Sequence, residues 1–204
     1  MNLIQALLNQ LYATQWYEYI AVCTGIVSVW YSKQEHVLVY PIGLISTLIY
    51  IYMCVQGNLF GEASVNVYYT IMSVVGWYTW LHKDALTQAT VLRVTYSSHK
   101  QVILQLTAFV ILYIVLYAIL VLLKQQFVGA IPWADALATA SAYTGMYLMV
   151  RKKVESWYWW LVTNAASIPL FYYKGYLVSS VYYIILLVLA VYGLRSWKGK
   201  ALVV

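Results

Sequence analysis

The chain has 204 residues, of which 64% are hydrophobic and only 9% charged. A soluble domain carries about a quarter charged residues, so this composition excludes an ordinary water-soluble globule. The formal net charge is +6, but the basic residues flank apolar runs, where they set membrane topology, and no nucleic-acid partner is expected.

The first ten residues, Met1 to Gln10, have no basic leader and no small-residue cleavage site, so they are not read as a cleavable signal peptide. Leu3, Ile4, Leu7, Leu8 and Leu11 share one helical face, and Asn2, Gln5, Asn9 and Gln10 the other. That pattern predicts an interfacial helix over residues 1–14; a frayed leader is the other reading.

Beyond it, the stretches between charged patches predict seven membrane helices, at 16–30, 37–55, 61–81, 101–123, 128–150, 155–173 and 176–192. About 20 apolar residues cross the hydrocarbon core. Lys33, Lys83, Arg93, Lys100, Arg151, Lys152, Lys153, Arg195, Lys198 and Lys200 then fall on one side, and only Lys124 and Lys174 on the other. The basic side is cytoplasmic, which places the N-terminus outside. Both cysteines, Cys23 and Cys54, fall within spans and form neither a disulfide framework nor a metal set.

The two halves echo each other at a shift of 117–118. Trp16 and Glu18 open the first span as Trp133 and Asp135 open the fifth; "QGNL" at 56–59 matches "KGYL" at 174–177; Gly76 and Trp80 match Gly193 and Trp197. The register slips by three or four residues between the second and sixth spans. Like-oriented three-helix units need one linking helix. The expected fold is all-α, a 3+1+3 parallel repeat. Its parts are a first three-helix unit with its inner loop at 15–100, a linking helix at 101–127, and a second unit with a cytoplasmic tail at 128–204. In transporters built of parallel repeats the substrate site lies near the midplane.

Two spans carry polar groups there. Trp157, Trp160 and Asn164 follow an i, i+3, i+7 spacing on one face of the sixth span, and Pro169 leaves the Ala165 carbonyl without its helical donor. An interfacial tryptophan belt accounts for Trp157 and Trp159 but not for Asn164, which is either an interhelical bond or part of a lined cavity. In the third span Glu62, Asn66, Tyr69, Ser73 and Gly76 form one continuous stripe. Ser73 and Gly76 suit helix packing; Asn66 and Tyr69 add hydrogen-bonding groups that packing does not require. No ionisable side chain falls near the middle of any span, so the costly intramembrane acid or base of an ion-driven carrier and the ligand cluster of a metalloenzyme are both missing. A transporter, not an enzyme, is expected, with a ligand held by aromatic faces and neutral amides and no cofactor. A membrane sensor or partner subunit is the alternative of another class.

The stretch "ESWYWWLVTNAASIPLFYYKG", with "NVYYTIMSVVGWYTW" in the third span, resembles the PnuC family of bacterial vitamin transporters across all seven spans. The resemblance implies a bundle similar to that of the SWEET sugar carriers, commonly trimeric, in the bacterial inner membrane. It implies facilitated diffusion of nicotinamide riboside with trapping by cytoplasmic phosphorylation, relatives carrying other B vitamins or nucleosides; transport of another B vitamin, a nucleoside or a sugar is the near alternative. It also implies Trp157, Trp160 and Asn164 as substrate-binding residues. Asn66, Tyr69 and Ser73 join them on the polar stripe alone. A cationic pyridinium gains from an aromatic face, and an asparagine offers donor and acceptor to a carboxamide.

Overall fold

In the computed structural model the described residues are 3–56, 60–82, 92–123 and 130–201. They form eight helices: α1 (Leu3–Ala13), α2 (Trp16–Lys33), α3 (Val39–Gln56), α4 (Phe60–Leu81), α5 (His99–Leu122), α6 (Pro132–Val150), α7 (Glu155–Tyr173) and α8 (Leu177–Lys200). By length and composition α3, α5 and α8 can each cross a membrane. Helices α2, α4, α6 and α7 have 18, 22, 19 and 19 residues, enough at 1.5 Å per residue to span about 27–33 Å. Their composition is more polar because they carry hydroxyl and amide groups inward, as Ser156, Thr163, Asn164 and Ser167 of α7 do.

Local chemistry fixes most helix ends. Ser98 and Gln101 form a reciprocal capping box at the start of α5, satisfying two otherwise unpaired amides. Pro132 opens α6, and Asp135 in its first turn accepts from the Ile131 amide at 2.6 Å. Gly175, at φ 83°, follows α7, a left-handed position that glycine occupies without strain. Helix α7 runs unbroken through Pro169. Two expected boundaries differ by more than three residues. The fifth span was expected from 128, a position outside the described residues, and α6 begins at Pro132. The last helix continues eight residues past Tyr192, so Arg195, Lys198 and Lys200 lie on a helix rather than in a tail. Cations favour that end through the helix dipole, and nothing there breaks the helix.

Helix α1 docks on α8. Its polar face, through Gln10, does the docking: Gln10 donates to the Gly175 carbonyl at 2.6 Å and accepts from the Leu177 amide at 2.9 Å. Leu3, Ile4 and Leu8 remain exposed.

Helices α2, α3 and α4 pack in sequence, as do α6, α7 and α8, and α5 lies against α6. Between these triplets α2 meets α8 and α4 meets α6, a reciprocal exchange. The 117-residue offset recurs in the packing. A Cβ on Gly76 would overlap the Tyr40 ring, and one on Gly193 the Trp157 ring. Tyr40 and Trp157 are themselves 117 apart, so the slip seen in sequence between the second and sixth spans is absent from the helix packing. The Trp80 indole donates to the Val150 carbonyl at 3.0 Å, and the Trp197 indole to the Ser32 carbonyl at 3.2 Å. Each bond ends on a carbonyl in the last turn of a helix in the other triplet, and the Ser32 carbonyl also accepts from the Glu35 amide at 3.0 Å.

The turns after α2 and α6 also match. Glu35 (φ 61°) and Lys152 (φ 51°) each take the left-handed conformation, which costs an L-residue roughly 1–2 kcal/mol. The α6–α7 turn is braced from outside: Thr95 pairs its backbone with this turn, and the Glu155 carboxylate accepts from the Ser97 amide at 2.9 Å. Burial pushes the Lys152 ammonium below its ordinary range, and the Glu35 carboxylate beside it works against that shift.

Candidate functional site

Helix α6 packs through small residues. Ala134, Ala136, Ala138, Ala140, Ser141 and Ala142 are all buried, and such residues let helix backbones approach closely in a membrane. A Cβ on Gly145 would lie 3.3 Å from Trp159 and 3.4 Å from the Trp160 ring, so the Trp160 indole lies over α6 at this glycine. The Tyr69 ring of α4 stands 6.2 Å from Trp160, centroid to centroid. Beside it Tyr68 lies against Tyr143 at 4.2 Å and donates to the Tyr143 carbonyl at 2.9 Å. The phenols of Tyr143, Tyr182 and Tyr183 are within electrostatic reach of Tyr69. Aromatic groups from α4, α6, α7 and α8 therefore converge between the triplets.

Asn164 follows Trp160 by one turn of α7. It is 3% exposed, and its Oδ1 has no hydrogen-bond partner. A buried acceptor left unpaired costs about 1–3 kcal/mol, which a ligand that donates to it would remove; the hydroxyls of Tyr40, Ser141 and Ser156 and the Trp157 indole are also buried without partners. Its neighbours are satisfied: Thr163 donates to the Trp159 carbonyl at 3.0 Å, and Ser167 is hydrogen-bonded to Tyr183. The arrangement offers ring faces and one open carbonyl, which suits a planar ring bearing an amide or amino donor.

The six sequence-derived positions are placed differently. Tyr69 and Trp160 belong to this assembly, and Asn164 is buried one turn along α7 from Trp160. Ser73 is buried one turn further along α4. Asn66 donates its amide to the Glu62 carbonyl of its own helix at 2.9 Å. Trp157 is 1% exposed and lies edge-on to Trp197 at 5.5 Å, in the core shared with Tyr40, Trp80 and Val150. Trp159 is tied to α5, its indole donating to Gln105 at 3.4 Å and packing on Phe109 at 4.5 Å. Sequence reasoning passed over Tyr143, Tyr182 and Tyr183. The repeat held a signal for the last: shifting Asn66 by 117 residues lands on Tyr183. An open groove lined by Trp16, Tyr17, Leu48, Ile49 and Tyr52 lies on α2 and α3 instead, away from this chemistry.

Apolar helices around an aromatic and amide site define a helical membrane transporter rather than an enzyme. The model of the nicotinamide mononucleotide transporter family matches residues 15–199, and the chain belongs to this family, which includes the PnuC proteins that its motifs resemble. It is 24% identical to the nicotinamide riboside transporter PnuC of Escherichia coli, over 93% of this chain and 88% of that protein. It is 25% identical to the PnuC of Neisseria mucosa, over 95% and 76%. It is 23% identical to the riboflavin/roseoflavin transporter RibM of Streptomyces davaonensis, over 89% and 84%. A crystal structure of the vitamin B3 transporter PnuC shares the fold, with a TM-score of 0.73, 23% identity, and coverage of 96% of this chain and 86% of that one.

Proposed function

We propose that this chain carries nicotinamide riboside across the bacterial inner membrane by facilitated diffusion and alternating access. The carrying observation is the unpaired Oδ1 of Asn164, one helical turn from Trp160, whose ring stands 6.2 Å from that of Tyr69. The carboxamide of nicotinamide riboside supplies the donor that this oxygen lacks, and its pyridinium supplies the cation that aromatic faces attract by roughly 0.5–2 kcal/mol. Trp160, Asn164 and Tyr69 hold the ring, Asn66 and Ser73 lie along the α4 approach, and Trp157 braces the site from the core side. Seven spans, α2 to α8, form two like-oriented three-helix units joined by α5, with the N-terminus outside. The reciprocal α2–α8 and α4–α6 packing and the contacts repeated at 117 residues support that arrangement. Assembly as a homotrimer follows from the family resemblance. Phosphorylation in the cytoplasm would trap the nucleoside.

The test is uptake of labelled nicotinamide riboside into proteoliposomes, with unlabelled riboflavin, thiamine and glucose as competitors. Uptake to equilibrium without a proton or sodium gradient, inhibited by cold nicotinamide riboside alone, is the expected result. Dependence on an ion gradient would end the uncoupled mechanism. Preferential inhibition by riboflavin would reassign the substrate to that of the RibM relative.

A further inference from the structure

Two residues related by a two-fold axis touch each other only where the axis passes. At the end of the molecule where α2 and α6 terminate, three pairs separated by 117 residues do touch. The Glu35 carboxylate meets the Lys152 ammonium at 3.6 Å, the Ser32 hydroxyl donates to the Met149 sulfur at 3.0 Å, and the Trp80 and Trp197 rings stand 6.2 Å apart. Glu35 also holds Lys200 of α8 at 3.0 Å, and the Lys152 ammonium lies 4.6 Å over the Trp80 ring. The Lys152 side chain is 6% exposed and that of Glu35 21%, so the pair is shielded from water rather than dispersed on the surface.

We propose that Glu35, with Lys152 and Lys200, is a latch lying on the pseudo-two-fold axis that holds the basic end of the transport pathway shut. The proposal rests on the two-unit transport reading above. Because Glu35 and Lys152 occupy equivalent positions in the two units, any rotation of the units away from the axis at this end separates them. The Trp80–Val150 and Trp197–Ser32 bonds, which also run between the units, part in the same movement. Among the described residues the other end has an ion pair within the second triplet, Lys174 with Asp135 at 2.7 Å, and none between the triplets.

The closed end is not uniformly favourable. Tyr40 Oη and Trp157 Nε1, again 117 apart, are buried without hydrogen-bond partners. Opening this end to water would satisfy both, so closure is opposed by two stranded donors and maintained by the ion pair and the indole bonds. A latch of this kind sits close to balance, as a carrier that must open at both ends requires.

Spin labels at Gln34→Cys and Arg151→Cys, both exposed turn positions, report the separation of the two units. They are placed in the full chain, with Cys23→Ser and Cys54→Ala, in lipid nanodiscs. Glu35→Gln alone would strand the buried Lys152 charge and could unfold the protein, so the test is the neutral pair Glu35→Gln with Lys152→Met. The expected result is one short separation in the parent and a longer one gaining population about tenfold in the neutral pair. The reversed set E35K, K152E and K200E should restore the short separation. Identical distance distributions in parent and neutral pair would overturn the latch. Nicotinamide riboside binding, measured by calorimetry on the same samples, separates the two ideas. A distance shift with no binding in any sample supports the latch and sinks the substrate reading; binding with no shift does the reverse.

Discussion

Replacing Gly193 with alanine tests the packing on which the repeat depends. A Cβ there would lie closer than 3.0 Å to Cη2, Cζ3 and Cζ2 of Trp157, well inside the ~3.5 Å at which carbon atoms meet comfortably. The ring has little freedom to retreat: it is 1% exposed and set edge-on to Trp197, whose indole is itself bonded to Ser32. Overpacking by a methyl group costs about 1–3 kcal/mol, while removing a helical glycine returns about 0.5–1 kcal/mol. The net loss is therefore about 0–2.5 kcal/mol. Gly199, on the same helix with nothing within 4 Å of an added Cβ, isolates the propensity gain. Heat treatment in mild detergent followed by size-exclusion chromatography should rank Gly199→Ala at or above the parent, and Gly193→Ala below both. Adding Trp157→Phe, which deletes the overlapping ring atoms, should recover most of the loss. If Gly193→Ala survives heating as well as Gly199→Ala, the close approach of α8 to Trp157 is not real, and the matched packing of the triplets goes with it.

Asn164→Leu should lower the affinity for nicotinamide riboside about 5- to 150-fold, the cost of losing one buried hydrogen-bond partner, with the elution volume unchanged; an unaltered calorimetric titration would remove Asn164 from the site. Gln10→Ala should free α1 from the start of α8, because one side chain supplies the bonds to Gly175, Leu177 and Val178. Hydrogen exchange at the Leu177 and Val178 amides should then accelerate, while exchange in the middle of α8 stays slow.

Much of this architecture is legible in the sequence, and the parts that are not have physical reasons. The span at 155–173 coincides with α7 end to end because Glu155 and Lys174-Gly175 punctuate it with charge and a left-handed turn. The last span was ended too early because hydropathy falls at Arg195, although a helix leaving the bilayer need not unwind there. Trp80 and Trp197 announce the repeat because they are identical; Glu35 and Lys152 hide it, since opposite charges look unlike although they share one backbone conformation. Spacing puts Trp157, Trp160 and Asn164 on one face of a helix. It says nothing about neighbours from the other helices: Trp157 meets Gly193 and Trp197, whereas Trp160 meets Gly145 and Tyr69.

The same offset separates two kinds of position. Where the units close on each other the partners are matched, Trp80 with Trp197 and the left-handed Glu35 with Lys152, and inside each unit Gly76 matches Gly193. Around the candidate site they are not. Trp160 corresponds to Gly43, whose Cβ would lie 2.9 Å from the Ser28 hydroxyl. Asn164 corresponds to Thr47, already bonded to Thr70 at 3.0 Å, and Tyr183 corresponds to Asn66. Walls related by a two-fold axis would present a small ligand with two equal and opposite orientations. A ring with a carboxamide on one side and a sugar on the other is read only if one unit supplies the indole and amide and the other supplies space. In the proposed transport cycle, symmetry in the closing surfaces would let both units move together, and its loss in the site would let one molecule bind in one direction.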